Sequence, residues 1–499
     1  MSETVKQLEK PPYLMIGLLF FATFVAFLNN SLLNVALPTI MHDFRIDYSA
    51  VQWLSTGYML VSGILIPVSA FLLTKFTNRS LFITALSIFT LGTLIAAYSP
   101  NFGWLIAGRM TQAAGSSVMS PLLMNIMLIS FPREKRGAAM GVFGLVMIVA
   151  PAIGPTLSGY IVEYHDWRLL FEMILPFAVI ALLLAIWKFR SVMPTKETKL
   201  DYLSVVLSTI GFGGLLYGFS DASSAGWGDP VVVTCIVAGV IGVALFVIRQ
   251  LRLDIPLLNL GIYKYPMYSM AAIISAVNAA ALFSGMILTP AYVQNVRGIT
   301  PLDSGLMMLP GAIVMGIMSP ITGKLFDKFG PRVLGFIGLT ITAIATFMMS
   351  KFDLETTYSH IIMLYSLRMF GISMVMMPIM TNGLNQLPTR LNPHGTAANN
   401  TIQQVAGAIG TAIFVSIMNS KTKSSAASQI AAMDPTAITD QVKAQIGQTA
   451  LLEGIQYSFL IAAATTVVAL VLTLFVKRVD VSKAALAKLE SEPEPSTAK

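Results

Sequence analysis

This chain has little that can react and little that favours water. A single cysteine, Cys235, stands among 499 residues, so neither an intrachain disulfide nor a cysteine zinc cluster can form. Four histidines, at positions 42, 165, 360 and 394, are scattered over expected loops and helix ends and make no metal set. No phosphate-binding loop, nucleophile motif or Cys/His cluster is present. These absences argue against an enzyme, against ATP as the energy source and against a bound cofactor. Charge is scarce as well: Asp, Glu, Lys and Arg make up 11% of the chain against 55% hydrophobic residues. No soluble core needs that much apolar sequence, whereas a helical bundle in lipid does.

What is present is a succession of apolar runs, each long enough to cross about 30 Å of hydrocarbon. They fall near 13–34, 50–73, 80–98, 102–127, 137–162, 168–187, 202–220, 230–249, 267–293, 304–326, 333–350, 360–382, 395–418 and 455–476. The expectation is an all-α polytopic membrane protein with fourteen transmembrane helices. The runs are continuous rather than alternating with period two, which excludes a barrel. The first run is too long for a signal-peptide core and lacks a small-residue cleavage site, so it reads as a retained span. With the N-terminus placed in the cytoplasm, 23 Lys/Arg fall inside, 7 outside and 2 within spans, Arg109 and Arg368. That asymmetry supports a cell-membrane protein with both termini cytoplasmic. It also makes the net charge of +8 a matter of topology rather than a sign of nucleic-acid binding. Two loops stand out: 188–201, basic and linker-like, and 419–454, expected outside as a small helical hairpin broken at Asp434-Pro435.

Internal repetition organises the chain. "PVSAFLLTKFTNR" at 67–79 recurs as "PITGKLFDKFGPR" at 320–332, and "VAPAIG" at 149–154 as "VAGAIG" at 405–410. Arg109-Met110 and Arg368-Met369 form a looser third pair at a similar offset. Two related six-helix halves follow, 13–190 and 251–478, with a linker and two inserted helices at 191–250 and tails at 1–12 and 479–499. Repeated membrane halves place a substrate site at their interface and move against each other.

Several residues are too polar for their surroundings. The first span ends in "FLNNSLLNVALP", carrying Asn29, Asn30 and Asn34; "RMTQAAGSS" carries Arg109 and Gln112; "NNTIQQVAGAIG" carries Asn399 and Gln403. Asn278 lies in the ninth run. The amides suit a wet cavity and suit interhelical hydrogen bonds equally well. Small residues and prolines punctuate "GVFGLVMIVAPAIGPTLSG", with Gly141, Gly154, Pro155 and Gly159. "GKLFDKFGPR" sets Gly323, Asp327, Gly330 and Arg332 at a helix–helix turn beside Lys324 and Lys328; its first-half copy keeps only Lys75 and Arg79.

These motifs resemble the major facilitator superfamily, in its fourteen-helix drug:proton antiporter branch (EmrB/QacA-type), over roughly residues 13–478. The 323–332 segment fits the family's loop signature, which implies a charge latch between the halves. The 141–159 segment resembles the antiporter signature, with Ala150 and Ser158 in place of glycines. Arg109 resembles the family's arginine of proton transfer. The family's first helix carries an aspartate where this chain has Asn29, so coupling must use another acid or another position. At 1.5 Å per residue, Asn29, Arg109 and Glu172 fall at about 24, 21 and 23 Å from the inside, one shared layer. Glu172 is therefore a candidate coupling acid, against the alternative of an interfacial acid on a peripheral helix; Glu163 and Asp303 are weaker candidates. The resemblance implies a monomeric exporter of amphipathic or cationic small-molecule drugs, exchanging them for protons across the lipid bilayer by alternating access. The rival readings are an exporter of an endogenous metabolite or lipid and a transport-inactive scaffold. The methionine clusters at 307–308 and 374–377 fit either packing or an adaptable pocket.

Overall fold

The computed structural model describes residues 12–46, 48–191, 195, 200–222, 225–433, 439–480 and 482. Among them are fourteen long helices: α1 (Tyr13–Phe44), α2 (Tyr48–Lys75), α3 (Asn78–Ala97), α4 (Phe102–Ser130), α5 (Arg136–Tyr164), α6 (Leu169–Lys188, interrupted at Met173), α7 (Tyr202–Ala222), α8 (Pro230–Arg252), α9 (Pro266–Ala291), α10 (Pro301–Phe329), α11 (Pro331–Met349), α12 (Tyr358–Asn385), α13 (Asn392–Ala431) and α14 (Asp440–Thr473). Thirteen are long and apolar enough to cross a membrane among the described residues, and α5, at 29 residues, is the other.

Local chemistry sets the boundaries. Thr77 caps α3 by accepting from Ser80 N at 3.2 Å, and Asn101 caps α4 through Trp104 N at 3.2 Å. Asp229 accepts from Val231 and Val232 while Pro230 opens α8. Gly330, at φ +81°, separates α10 from α11, a conformation that side chains resist. Two helices are longer than the hydropathy pattern implies. α1 continues ten residues past position 34, which moves Asn29 from the outer half of a span to mid-helix. The segment 419–431 extends α13 without a break, so most of the expected outer hairpin continues two spans; positions 434–435 lie outside the described residues. Nothing in 419–431 is a glycine or proline, and the extension packs on the start of α14 through Glu453, bonded to Ser425 and Gln429.

The two halves repeat the same packing. α1 lies on α5 as α9 lies on α13; α4 packs on α2 and α3 as α12 packs on α10 and α11; α6 covers α3 as α14 covers α11. The halves meet along two seams, α5 with α10 and α2 with α13, which the same exchange of halves interconverts. Glycines set the first seam: a Cβ on Gly141 would stand 2.5 Å from the Ser319 carbonyl, whose own hydroxyl donates to Gly141 O at 2.7 Å. Both described chain ends reach one end of the bundle, where Tyr13 meets Phe131 and Arg478 donates to the Asp327 carbonyl.

α7 and α8 form a hairpin against α2 and α13. A Cβ on Gly242 would stand 2.7 Å from Gly211 N, so the pair is in backbone contact. At its base the Arg249 guanidinium grips Asp201 at 2.6 and 2.7 Å and holds that carboxyl down to about 2. The tie is complete above about pH 4 and fades as pH falls through about 2, and its exposure to solvent keeps it weak. Replacing Gly242 by leucine should cost about 1–3 kcal/mol through overpacking. Thermal unfolding of detergent-purified protein should show it as a melting point several degrees lower. Gly17→Leu, at a site with nothing within 4 Å, should leave the melting point in place.

A buried polar layer and a joint between the halves

Arg109 and Gln112 are three residues apart on α4, with Ser116 one turn further, so the three form one stripe. The stripe faces α1, α2 and α3. Arg109, 1% exposed, donates to Asn30 Oδ1 at 3.0 Å, Gln112 Oε1 at 3.0 Å and Leu54 O at 3.4 Å. Its guanidinium lies over the Tyr58 ring, 4.4 Å from the centroid. Tyr58 and Ser116 share a 2.5 Å hydrogen bond, and Gln112 Nε2 donates to Asn29 Oδ1 at 3.3 Å and Thr93 Oγ1 at 2.9 Å. Gly92 makes room for this: a Cβ there would stand 2.5 Å from Gln112 N. Asn29, Asn30, Arg109 and Gln112 thus come together, and every acceptor around the guanidinium is neutral.

Glu172 is not among them. It is exposed in the first turn of α6, a helix on the outside of the bundle against α1 and α3. Equal depth did not imply contact, because depth along a span carries no information about which way a helix face points. The structure therefore does not bring Glu172 to the Arg109 cluster. Glu163 and Asp303, also exposed, lie at helix ends.

The second half holds a counterpart. Arg368, 1% exposed, donates to Thr346 Oγ1 at 3.2 Å and to the Ala281 carbonyl, and its Nη1 has no partner. Gly285 lies directly against the guanidinium, where a Cβ would overlap it. Arg368 is thus placed on α12 as Arg109 is on α4, but in its own cluster. A third group lies between α9, α12 and α13, where Asn278 and Gln403 line a small cavity with Ser275, Met376 and Phe283. Asn399 and Gln403 donate to Met380 Sδ at 3.1 and 3.9 Å. Of the two methionine clusters, Met307, Met374 and Met377 are core residues. The side chains of Asn34 and Pro155 lie outside the described residues.

At the end of the bundle bearing the termini the halves are joined. Asp327 accepts from the backbone N–H groups of Gly137 and Ala138, both at 3.2 Å, in the first turn of α5. Gly323 and Gly137 are in backbone contact beside it. Arg133 donates to the carbonyls of Asn385 and Leu387 at 2.9 and 3.1 Å, and Arg136 to Asn385 Oδ1 at 3.1 Å. The carboxylate therefore faces a helix N-terminus, where unpaired N–H groups and the dipole favour an anion. This corrects the expected cluster with Lys324, Lys328 and Arg332, whose side chains are exposed. Lys75 lies over Phe71 and Phe76, and Arg79 donates to Ile186 O at 2.9 Å, so both stay within the first half. On α5, Gly141 faces α10, Gly154 abuts Ser31 of α1, and a Cβ on Gly159 would stand 3.4 Å from Leu302 Cδ1. Sequence reasoning missed Tyr58, Thr93, Ser116, Arg133, Arg136 and Asn385. Arg133 and Arg136 counted as loop charge, although both are buried.

Comparison with known proteins agrees with this architecture. The family model described as Major Facilitator Superfamily matches residues 19–411. Lincomycin resistance protein LmrB of Bacillus subtilis (strain 168) is 44% identical over 94% of this chain and 96% of its own. A multidrug resistance protein B homolog of Mycobacterium tuberculosis (strain CDC 1551 / Oshkosh) is 29% identical over 80% of this chain and 74% of its own. Among solved structures, the human organic anion transporter MFSD10 superposes with a TM-score of 0.65 at 11% identity, covering 93% of this chain and all of that one. A double-tryptophan mutant of XylE gives 0.63 at 14% identity, covering 97% and 99%. This chain, an all-α membrane protein and not an enzyme, belongs to the Major Facilitator Superfamily of transporters.

Proposed function

We propose that the protein is a secondary active exporter that carries amphipathic, drug-like compounds out of the cell in exchange for protons. The observation that carries this reading is the near full-length similarity to a lincomycin resistance protein. Both termini would lie in the cytoplasm, and a monomer would suffice. The halves 13–190 and 251–478 would rock about the α5/α10 and α2/α13 seams, with 191–250 contributing the linker and the α7–α8 hairpin. In this reading the Asp327 joint is the cytoplasmic closure, and the amides Asn30, Asn278, Asn399 and Gln403 offer hydrogen bonds to substrate. Asp327 is the carboxylate that bridges the halves at that joint, so its protonation would weaken the hold on α5 and favour opening there.

Inverted vesicles with an imposed pH gradient test the antiport. Lincomycin uptake should rise with the gradient and collapse when a protonophore is added; uptake that continues unchanged would exclude proton exchange. In the same assay Arg109→Lys should lower transport by about tenfold or more. An ammonium cannot reach Asn30, Gln112 and the Leu54 carbonyl from one planar fork. Glu172→Gln should transport like the parent, and a loss of coupling there would restore the acid to the mechanism. Asp327→Asn keeps a carbonyl acceptor but loses the charge, so turnover should change several-fold, with the triple change Lys324→Gln, Lys328→Gln and Arg332→Gln mattering less.

A further inference from the structure

The interior of this bundle carries charge of one sign. With one exception, every described Asp and Glu on the fourteen long helices lies in a first or last turn: Asp43, Glu163, Glu172, Asp221, Asp303, Asp327 and Asp440. The exception is Glu453, which faces the extended end of α13. Among the described residues, the two buried ionised side chains away from helix ends are Arg109, seven residues into α4, and Arg368, ten residues into α12. Both are buried, and their hydrogen-bond acceptors are amide, hydroxyl and carbonyl oxygens. Two positive charges thus stand in a low-dielectric region without a countercharge, where solvent and salt screen them poorly.

The unpartnered polar atoms lean the same way. Asn29 Nδ2, Asn400 Nδ2 and Arg368 Nη1 are buried donors with no acceptor, and Asn278 Oδ1 is a buried acceptor with no donor. A guest bearing a fixed positive charge would lie in the field of two guanidiniums, with no buried carboxylate among the described residues to offset it. A guest bearing oxygens or a negative charge would meet donors already desolvated and waiting.

We propose that this transporter binds its substrates in anionic or uncharged, oxygen-rich form and rejects permanent cations, with Arg109 and Arg368 setting the sign. The inference rests on the export reading above and narrows its substrate class. At Asn29 this chain offers an amide whose donor side is unoccupied.

Tetraphenylborate and tetraphenylphosphonium, matched in size and shape and opposite in sign, make the test. Equilibrium dialysis against the detergent-purified full chain should show the borate binding at least about tenfold more tightly. Equal or tighter binding of the phosphonium overturns the proposal, as does failure of the borate to bind. Asn29→Asp, which places a carboxylate beside Gln112 and the Arg109 cluster, should raise phosphonium binding about tenfold or more and weaken the borate. Arg368→Gln supplies a second variant should the first misfold, and it should narrow the difference between the two ions; an unchanged ratio in a folded variant overturns the role of that arginine. Chloramphenicol, neutral and oxygen-rich, separates the two levels of inference. If inverted vesicles accumulate neither it nor lincomycin, the export reading fails. If they accumulate chloramphenicol and tetraphenylphosphonium alike, only the charge rule fails.

Discussion

A guanidinium held at membrane depth needs several acceptors at once, and the layout of each half follows from supplying them. A buried cation that lost its partners would cost several kcal/mol, so the helices that carry those partners have to stay in register. Arg109 draws on α1, α2 and its own helix α4, with Gln112 extending the network to α3. Arg368 draws on α9 and α11. Each arginine thus fastens neighbouring helices of its own half, where the hydrophobic effect offers no help because lipid is as apolar as leucine.

The seams between halves are built differently. No ion pair crosses the α5/α10 contact among the described residues; glycine, serine and backbone carbonyls meet there instead. Close contact of small residues gives dispersion energy without fixing a single register, which suits surfaces that slide. The polar grip is confined to the end with the chain termini, where Asp327, Arg133 and Arg136 hold backbone groups and an amide of the opposite half. Rigid halves, a smooth seam and a polar joint at one end are the parts that an alternating carrier requires.

Sequence made part of this legible. Runs of apolar residues located the helices, and the repeats at 67–79 and 320–332 foretold paired halves whose packing is duplicated. Asn29, Arg109 and Gln112 stood out because polarity inside a span is costly. Tyr58, Thr93 and Ser116 did not, since hydroxyls are ordinary in membrane helices and gain a role only from the helix opposite. Helix ends misled where hydropathy falls before the helix does: α1 runs on to Phe44 and α13 to Ala431 as helices leaving the apolar layer. Depth along a span put Glu172 level with Arg109, but depth does not carry the direction in which a helix face points, and the two stand apart.

α5 connects the joint to the buried layer. Its first turn is held by Asp327, its middle rides on Ser319 of α10, and its Gly154 is pressed against Ser31 of α1. Ser31 is next in sequence to Asn30, the amide that Arg109 holds at 3.0 Å. A tilt of α5 that opened the joint would therefore push on α1 one residue from the guanidinium's partner, through the close contact of the Ser31 side chain with Gly154. If Arg109 kept its grip on Asn30, α4 would have to follow; if it did not, a cation would be left short of an acceptor in the membrane interior. Either outcome ties the state of the joint to the electrostatics of the layer some 20 residues along α1 and α5. Asn30 and Ser31 therefore lie on a continuous chain of contacts between the joint and the buried layer.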